Sequence, residues 1–241
     1  MIIDSLLSII APHDCLGCAA EGSLLCLRCH SSLLPARPKC FKCQNISRGF
    51  ATCQACRTVA ELGAGKGRPL ALRSVHAAVL YKGVAKDILH KLKFGRARSA
   101  AGEVASLIAA RLNLPALLAN QSAASRSRII ITHAPTANTR ARQRGYDQAA
   151  LIARSLAKDC NLPYAALLRR RGHQKQMGAN RARRAVQLDD AFYAVRTRGL
   201  QGAHILLVDD VVTTGATLEA AAQALLAAGA RRVDGIVFAQ A

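Results

Sequence analysis

From Ser74 onward, short apolar runs alternate with stretches whose apolar residues recur at helical spacing. The runs SVHAAVL (74–80), RIIITH (128–133), AFYAV (191–195), HILLVDD (204–210) and VDGIVFA (233–239) predict strands. Between them, helices are predicted over Tyr81–Phe94, with Val84, Ile88, Leu89 and Leu92 on one side, over Ala101–Leu112 and over Gly145–Lys158. A further helix, Thr214–Ala228, turns Leu218, Ala222, Leu225 and Leu226 inward and is stopped by Gly229. This alternation predicts an α/β fold, a parallel sheet flanked by helices. Far upstream, Ile2, Ile3, Leu6, Leu7 and Ile10 predict a short amphipathic helix that docks on the rest of the chain. The opening MIIDSLLSII is too short to span a bilayer, lacks a basic start and is interrupted by Asp4. Neither a signal peptide nor a membrane span is expected, which makes the cytoplasm the expected location.

In a parallel sheet, ligands bind outside the carboxyl ends of the strands. The strand HILLVDD runs directly into VVTTGAT and then a helix. Thr213, Thr214, Gly215, Ala216 and Thr217 form a small, hydroxyl-rich turn at a helix N-terminus, where unpaired amides and the helix dipole favour a phosphate. Gly215 allows close backbone approach, so a bulky residue such as Val is expected to block a ligand while leaving the fold intact, provided the backbone angles suit a side chain. Asp209 and Asp210, just before the turn, can accept hydrogen bonds from vicinal ribose hydroxyls. Phosphate followed by ribose matches a ribose 5-phosphate group. An ordinary capping turn would leave these acids solvated; two consecutive acids ending an apolar strand are costly without a ligand or metal.

Charge adds a second theme. Among 241 residues, 34 are Lys or Arg and 14 are Asp or Glu, a formal net charge of +20. Arginine dominates from Arg126 to Arg184, where the acids are Asp147 and Asp159. Such clustering favours an anion-facing surface, for nucleic acid or phosphorylated metabolites, over a uniform solvated coat. Aromatics amount to 4% and Trp is absent, so aliphatic residues must fill the core. Phe41, Phe50, Tyr81 and Phe94 are the main candidates for base stacking.

Nine cysteines are present, and eight form C-x2-C pairs: Cys15/Cys18, Cys26/Cys29, Cys40/Cys43 and Cys53/Cys56. Two such pairs complete a tetrahedral four-thiolate site, and four permit two structural zinc ions. Neighbouring or interleaved pairing is possible. A disulfide framework would need an oxidising compartment, which no export signal supports. Residues 14–57 are too few and too polar to fold on apolar burial alone, whereas zinc binding is worth about 10–16 kcal/mol per site in small fingers. His13 and His30 are expected bystanders, and Cys160 a small apolar filler at a helix end. After Cys56, RTVAELGAGKGRPL is glycine-rich and aperiodic. The expected organisation is an N-terminal helix and zinc-binding region over 1–59, a linker over 60–73 and the α/β domain over 74–241.

ILLVDDVVTTGAT resembles the phosphoribosyl-pyrophosphate signature of type I phosphoribosyltransferases. Across nearly the whole chain the resemblance is to the ComF family: the four knuckles resemble its double zinc ribbon, while YKGVAKDILHKLKF, RARQRGYDQA and QKQMGANRARRAVQLDDAF resemble its further motifs. Asp147 and Gln187 depart from the family's usual Asn. The resemblance implies that Asp209 and Asp210 hold the ribose hydroxyls, that Thr213, Thr214, Gly215, Ala216 and Thr217 hold the 5-phosphate, and that Ala134, Pro135 and Thr136 face diphosphate. Arg140, Arg142 and Arg144, with Lys91 and Lys93, would neutralise its charge, and residues 172–184 would form a lid. It further implies Mg2+ bound with phosphoribosyl pyrophosphate, and either phosphoribosyl transfer or a binding role in DNA uptake or use of external DNA. In the binding role the partners would be single-stranded DNA and a helicase-like competence protein.

Overall fold

The computed structural model describes residues 14–61, 69–94, 97–119, 122–137, 142–171, 191–195 and 197–241. The predicted helix over 1–10 lies outside them. Among the described residues there are six strands: β1 (Leu72–Leu80), β2 (Ile129–His133), β3 (Leu168–Arg170), β4 (Phe192–Ala194), β5 (His204–Val212) and β6 (Arg232–Gln240). Four of them form a parallel sheet in the order β1-β6-β5-β2. The helices are α1 (Leu27–Ser31), α2 (Gln54–Glu61), α3 (Val84–Phe94), α4 (Ala97–Arg111), α5 (Leu114–Ala119), α6 (Ala123–Arg126), α7 (Gln148–Asp159) and α8 (Ala216–Ala227). None among the described residues is long and apolar enough to cross a membrane.

The near-continuous apolar runs of β5 and β6 follow from burial on both faces. Alternate residues of β5 serve separate cores. Leu206 and Val208 join Ile88 and Leu92 of α3, Ile108 of α4 and Ile152 and Leu156 of α7. Ile205 and Leu207 join Leu218, Ala222 and Leu225 of α8. Helix α7 begins where Asp147 accepts a hydrogen bond from the Ala150 amide at 3.2 Å. The same carboxylate accepts from the Thr136 amide at 2.8 Å, tying the turn after β2 to the helix start. The acid that departs from the family's Asn therefore has a structural task here.

The outer edge of β1 is covered by the cysteine-rich region. Pro35 bridges Val79 and Ala51 bridges Ser74, with Leu80 donating to the Leu34 carbonyl at 2.8 Å and Thr52 to the Arg73 carbonyl at 2.8 Å. This pairing satisfies backbone groups that an open edge would expose.

Two predicted elements differ. The run AFYAV does form a strand, but outside the parallel sheet: its core, β4, pairs antiparallel in a separate two-stranded sheet with β3, a segment whose LRR sequence carries no strand pattern. The strand predicted from Ser74 begins at Leu72.

Candidate ligand cleft and cysteine clusters

Beyond the carboxyl end of β5 a cleft of about 210 Å³ opens, lined by Asp209, Asp210, Val211 and Thr217, by Ala134, Pro135, Thr136 and Ala137 after β2, and by Lys93, Arg144, Gln148 and Arg170. A smaller adjoining hollow of about 40 Å³ is lined by Thr213, Thr214, Gly215, Ala216 and Thr217 together with Asp209. Gly215 sits in the left-handed region at φ 73°, immediately before α8. The Ala216 amide donates to the Thr214 hydroxyl at 3.4 Å, and the first-turn amides at 216–218 have no acceptor within the helix. Phosphate-sized space thus meets a helix N-terminus.

Charge across the cleft is mixed. Lys93 Nζ lies 3.4 Å from Asp210, and the Asp210 amide donates to the Asp209 carboxylate at 2.8 Å. Burial pushes the Asp209 carboxyl well above the usual range, with the neighbouring Asp210 and, further off, Asp147 adding to the rise. Arg144 is stacked over Phe94 and Arg170 over Phe192, each 5.3 Å from the ring centroid. The Gln148 side chain is 2% exposed, and its Nε2 has no hydrogen-bond partner among the described residues. Two carboxylates suit hydroxyls, and an amide donor with three cations suits an anion.

The sequence-predicted residues divide accordingly. Asp209, Asp210, Thr217, Pro135, Thr136 and Arg144 meet in the cleft, and Thr213, Thr214, Gly215 and Ala216 in the adjoining hollow. Arg142 is exposed and does not line the cleft. Lys91 points elsewhere, donating to the Cys15 carbonyl at 2.9 Å. Arg140, Gln187 and the lid residues 172–184 lie outside the described residues. Gln148 and Arg170 were not singled out from sequence. The expectation for Gly215→Val needs correction: a Cβ at Gly215 would overlap the Phe41 ring, whose Cε2 would be 2.9 Å away, and the positive φ strains any side chain. Phe41 is itself buried, 2% exposed, and so unavailable for base stacking.

The eight paired cysteines gather as two clusters, Cys15/Cys18/Cys26/Cys29 and Cys40/Cys43/Cys53/Cys56, with all sulfurs of a cluster within 4.8 Å of one another. Neighbouring pairs combine, and interleaving is ruled out. Sγ of Cys18 lies 3.7 Å from that of Cys26, and Sγ of Cys43 lies 3.7 Å from that of Cys53. Tetrahedral ligation at about 2.3 Å places sulfurs roughly 3.8 Å apart, whereas a disulfide needs about 2.05 Å. Burial disfavours the Cys15 thiolate, but amides of Cys26, Cys18 and Gly17 more than offset it and lower its pKa to about 6. Burial and the neighbouring sulfurs push Cys29 up to about 12. Cys40, at about 7, and Cys56, at about 12, repeat this split. Four packed thiols cannot all ionise without a cation, and both clusters could hold a zinc ion. Cys160 is a buried C-cap of α7.

The phosphoribosyl transferase domain model matches residues 143–241. The DNA utilization protein YhgH of Escherichia coli (strain K12) is 34% identical over 149 residues, covering 61% of this chain and 63% of that protein. The competence protein ComFC of Bacillus subtilis (strain 168) is 31% identical over 100 residues, covering 42% and 39%. The chain is similar to these DNA utilization and competence proteins. The two cysteine clusters precede the parallel sheet, of which β5 and β6 fall within the matched residues 143–241. The chain spans about 63% of the length of the curated relatives it matches first. Among solved structures, a glutamine phosphoribosylpyrophosphate amidotransferase from B. subtilis complexed with ADP and GMP is 22% identical, covering 54% of this chain and 26% of that one at a TM-score of 0.33. A likeness that slight says nothing of the site.

Proposed function

We propose that this chain binds phosphoribosyl pyrophosphate in the cleft and acts in DNA uptake or the use of external DNA. The observation that carries the ligand reading is the order of groups at the end of β5: two carboxylates, then a left-handed glycine opening a helix, with Lys93, Arg144 and Arg170 around the same cleft. Asp209 and Asp210 would accept from the ribose hydroxyls, and the turn Thr213–Thr217 would donate to the 5-phosphate. Diphosphate would lie toward Pro135 and Thr136, within reach of the cations and the Gln148 amide. Bound Mg2+ would shield the diphosphate, held mainly by the ligand's own oxygens. In a transfer, the bond from C1 to the diphosphate oxygen breaks, diphosphate leaves, and a nitrogen nucleophile bonds to C1 and gives its proton to solvent. The chain's part is positioning and electrostatic stabilisation.

The role in DNA handling rests on the similarity to the DNA utilization and competence proteins. The formal charge of +20 favours a second reading beside catalysis. In it, the chain is a non-catalytic adaptor that holds a phosphoribosyl ligand and single-stranded DNA for a helicase-like partner.

Calorimetric titration with phosphoribosyl pyrophosphate and Mg2+ tests the ligand. The double variant Asp209→Asn/Asp210→Asn is expected to bind at least about a hundredfold more weakly, since two charge-assisted hydrogen bonds contribute roughly 1.5–3 kcal/mol each. Equal affinity in both proteins would remove the site assignment. Turnover with a panel of nitrogen bases separates transferase from adaptor.

A further inference from the structure

We propose that Phe41 is a positioning residue that couples metal loading of the second cysteine cluster to the conformation of the phosphate turn. Its consequence for ligand affinity rests on the phosphoribosyl reading above. Phe41 lies between Cys40 and Cys43, inside the loop that one metal ion would close. The neighbouring Lys42 is exposed, yet Phe41 is buried and belongs to the core of Val212, Leu218 and Leu225. Its ring occupies the place a Cβ at Gly215 would take, against the residue that opens α8 at φ 73°.

The rest of the second cluster is tied along the sheet, from the carboxyl end of β6 to the amino end of β1. Gln44 donates from Nε2 to the Phe41 carbonyl at 2.8 Å, and its Oε1 accepts from Gln240 at the end of β6 at 3.4 Å. Phe50 packs on His76 of β1 with ring centroids 5.4 Å apart, and the Thr52 hydroxyl donates to the Leu72 carbonyl at 2.8 Å. The first cluster docks elsewhere, through the bond from Lys91 of α3 to the Cys15 carbonyl. One cluster therefore buttresses the turn and the other does not.

The physical link is short. A knuckle of this composition depends on its metal for a fixed backbone. With the metal bound, Phe41 is held from both sides and closes off the space beside Gly215. Without it, the ring loses its seat, and Gly215 is free to leave the conformation that aims the first amides of α8. Because coupling is reciprocal, a ligand that needs the ordered turn also tightens the metal at the second cluster.

The test compares zinc-loaded parent, Phe41→Ala and Phe41→Leu, each checked for zinc content and cooperative unfolding. Amide exchange over 211–218 is read by mass spectrometry, affinity for phosphoribosyl pyrophosphate with Mg2+ by calorimetry, and zinc loss to a competing chelator with and without that ligand. Phe41→Ala is expected to speed exchange and weaken ligand binding by about tenfold each, within the usual range of coupling between sites. Phe41→Leu should fall between, and the ligand should slow zinc loss from one cluster of the two. If the parent binds no phosphoribosyl pyrophosphate but exchange still responds to Phe41→Ala, the positioning role stands and the ligand reading falls. If the ligand binds and both folded variants match the parent in exchange and affinity, the positioning role is wrong while the ligand reading stands. Should Phe41→Ala not fold, Phe41→Leu decides by the same two readouts.

Discussion

At the scale of single residues, Asp209 carries a conflict whose cost falls on stability. Burial, then Asp210, holds its carboxyl pKa well above the ordinary value. A group whose folded pKa is raised contributes stability below its unfolded pKa, and that contribution is lost as pH rises through the folded value. Above the unfolded pKa, Asp209 therefore makes the ligand-free fold less stable than a neutral side chain there would. Asp209→Asn is expected to raise the thermal midpoint of the ligand-free protein at about pH 7, with the gain shrinking toward about pH 4. Thermal melts across that range check it, and a midpoint lowered at neutral pH would contradict the electrostatic account. Asp209 and Asp210 could be picked out from sequence because two acids closing an apolar run are conspicuous. Gly215 was legible as a required glycine, but only half of the reason was: the turn conformation is local, whereas the Phe41 ring arrives from a distant knuckle. Gln148 was not legible as a cleft residue, because at the start of a helix it reads as an ordinary polar position.

Among the elements, β5 and β6 were legible because burial on both faces makes them continuous apolar runs. The pairing of β3 with β4 was not, because LRR has no period and its cohesion is tertiary, with Arg170 over Phe192 and Arg171 over Tyr193. Asp234 shows how β6 is anchored. Its carboxylate accepts from Ser74 of β1 at 2.7 Å and from Arg232 at 2.6 Å, and lies 2.7 Å from His204 Nε2 of β5. Burial opposes ionisation, but the bonds from His204, Arg232 and Ser74 more than offset it and lower the pKa from 3.8 to about 2. A depressed folded pKa contributes stability above the unfolded value that is lost as pH falls through the folded one. The loss should run from about pH 4 to pH 2 and amount to about 2 kcal/mol. Asp234→Asn is expected to lower stability at neutral pH by about that amount and to flatten the slope between those pH values. Denaturant unfolding at several pH values measures both, and an unchanged slope would show that the bonds do not set the charge state.

For the whole molecule, the sequence supplied the clusters and the sheet but not their junction. Cysteine spacing left the pairing open, and only the three-dimensional arrangement joins neighbouring pairs and lays the second cluster against β1 and the turn at Gly215. Elemental analysis of protein purified without chelator is expected to give about two zinc ions per chain, with proton release on binding because thiols must ionise. A value near zero would leave the fold of the ribbon without a source of stability. Two zinc ions on eight thiolates would lower the formal charge of +20 only to about +16. That excess must face an anion or solvent. Arg128, Arg142, Arg154, Arg169 and Arg171 are exposed within the arginine-rich stretch. With Phe41 buried, few aromatic rings remain for stacking; Phe94 is 67% exposed, beneath Arg144 at the cleft. Contacts of this kind read phosphates and not bases. Single-stranded DNA is therefore expected to bind with little sequence preference and strong salt sensitivity. If about five phosphates are neutralised, log affinity should fall against log salt with a slope near −3.5. Fluorescence anisotropy with labelled oligonucleotides of differing sequence, from low to moderate salt, measures this. Affinity indifferent to salt, or no binding at low salt, would assign the arginine surface to solvent or to a protein partner instead.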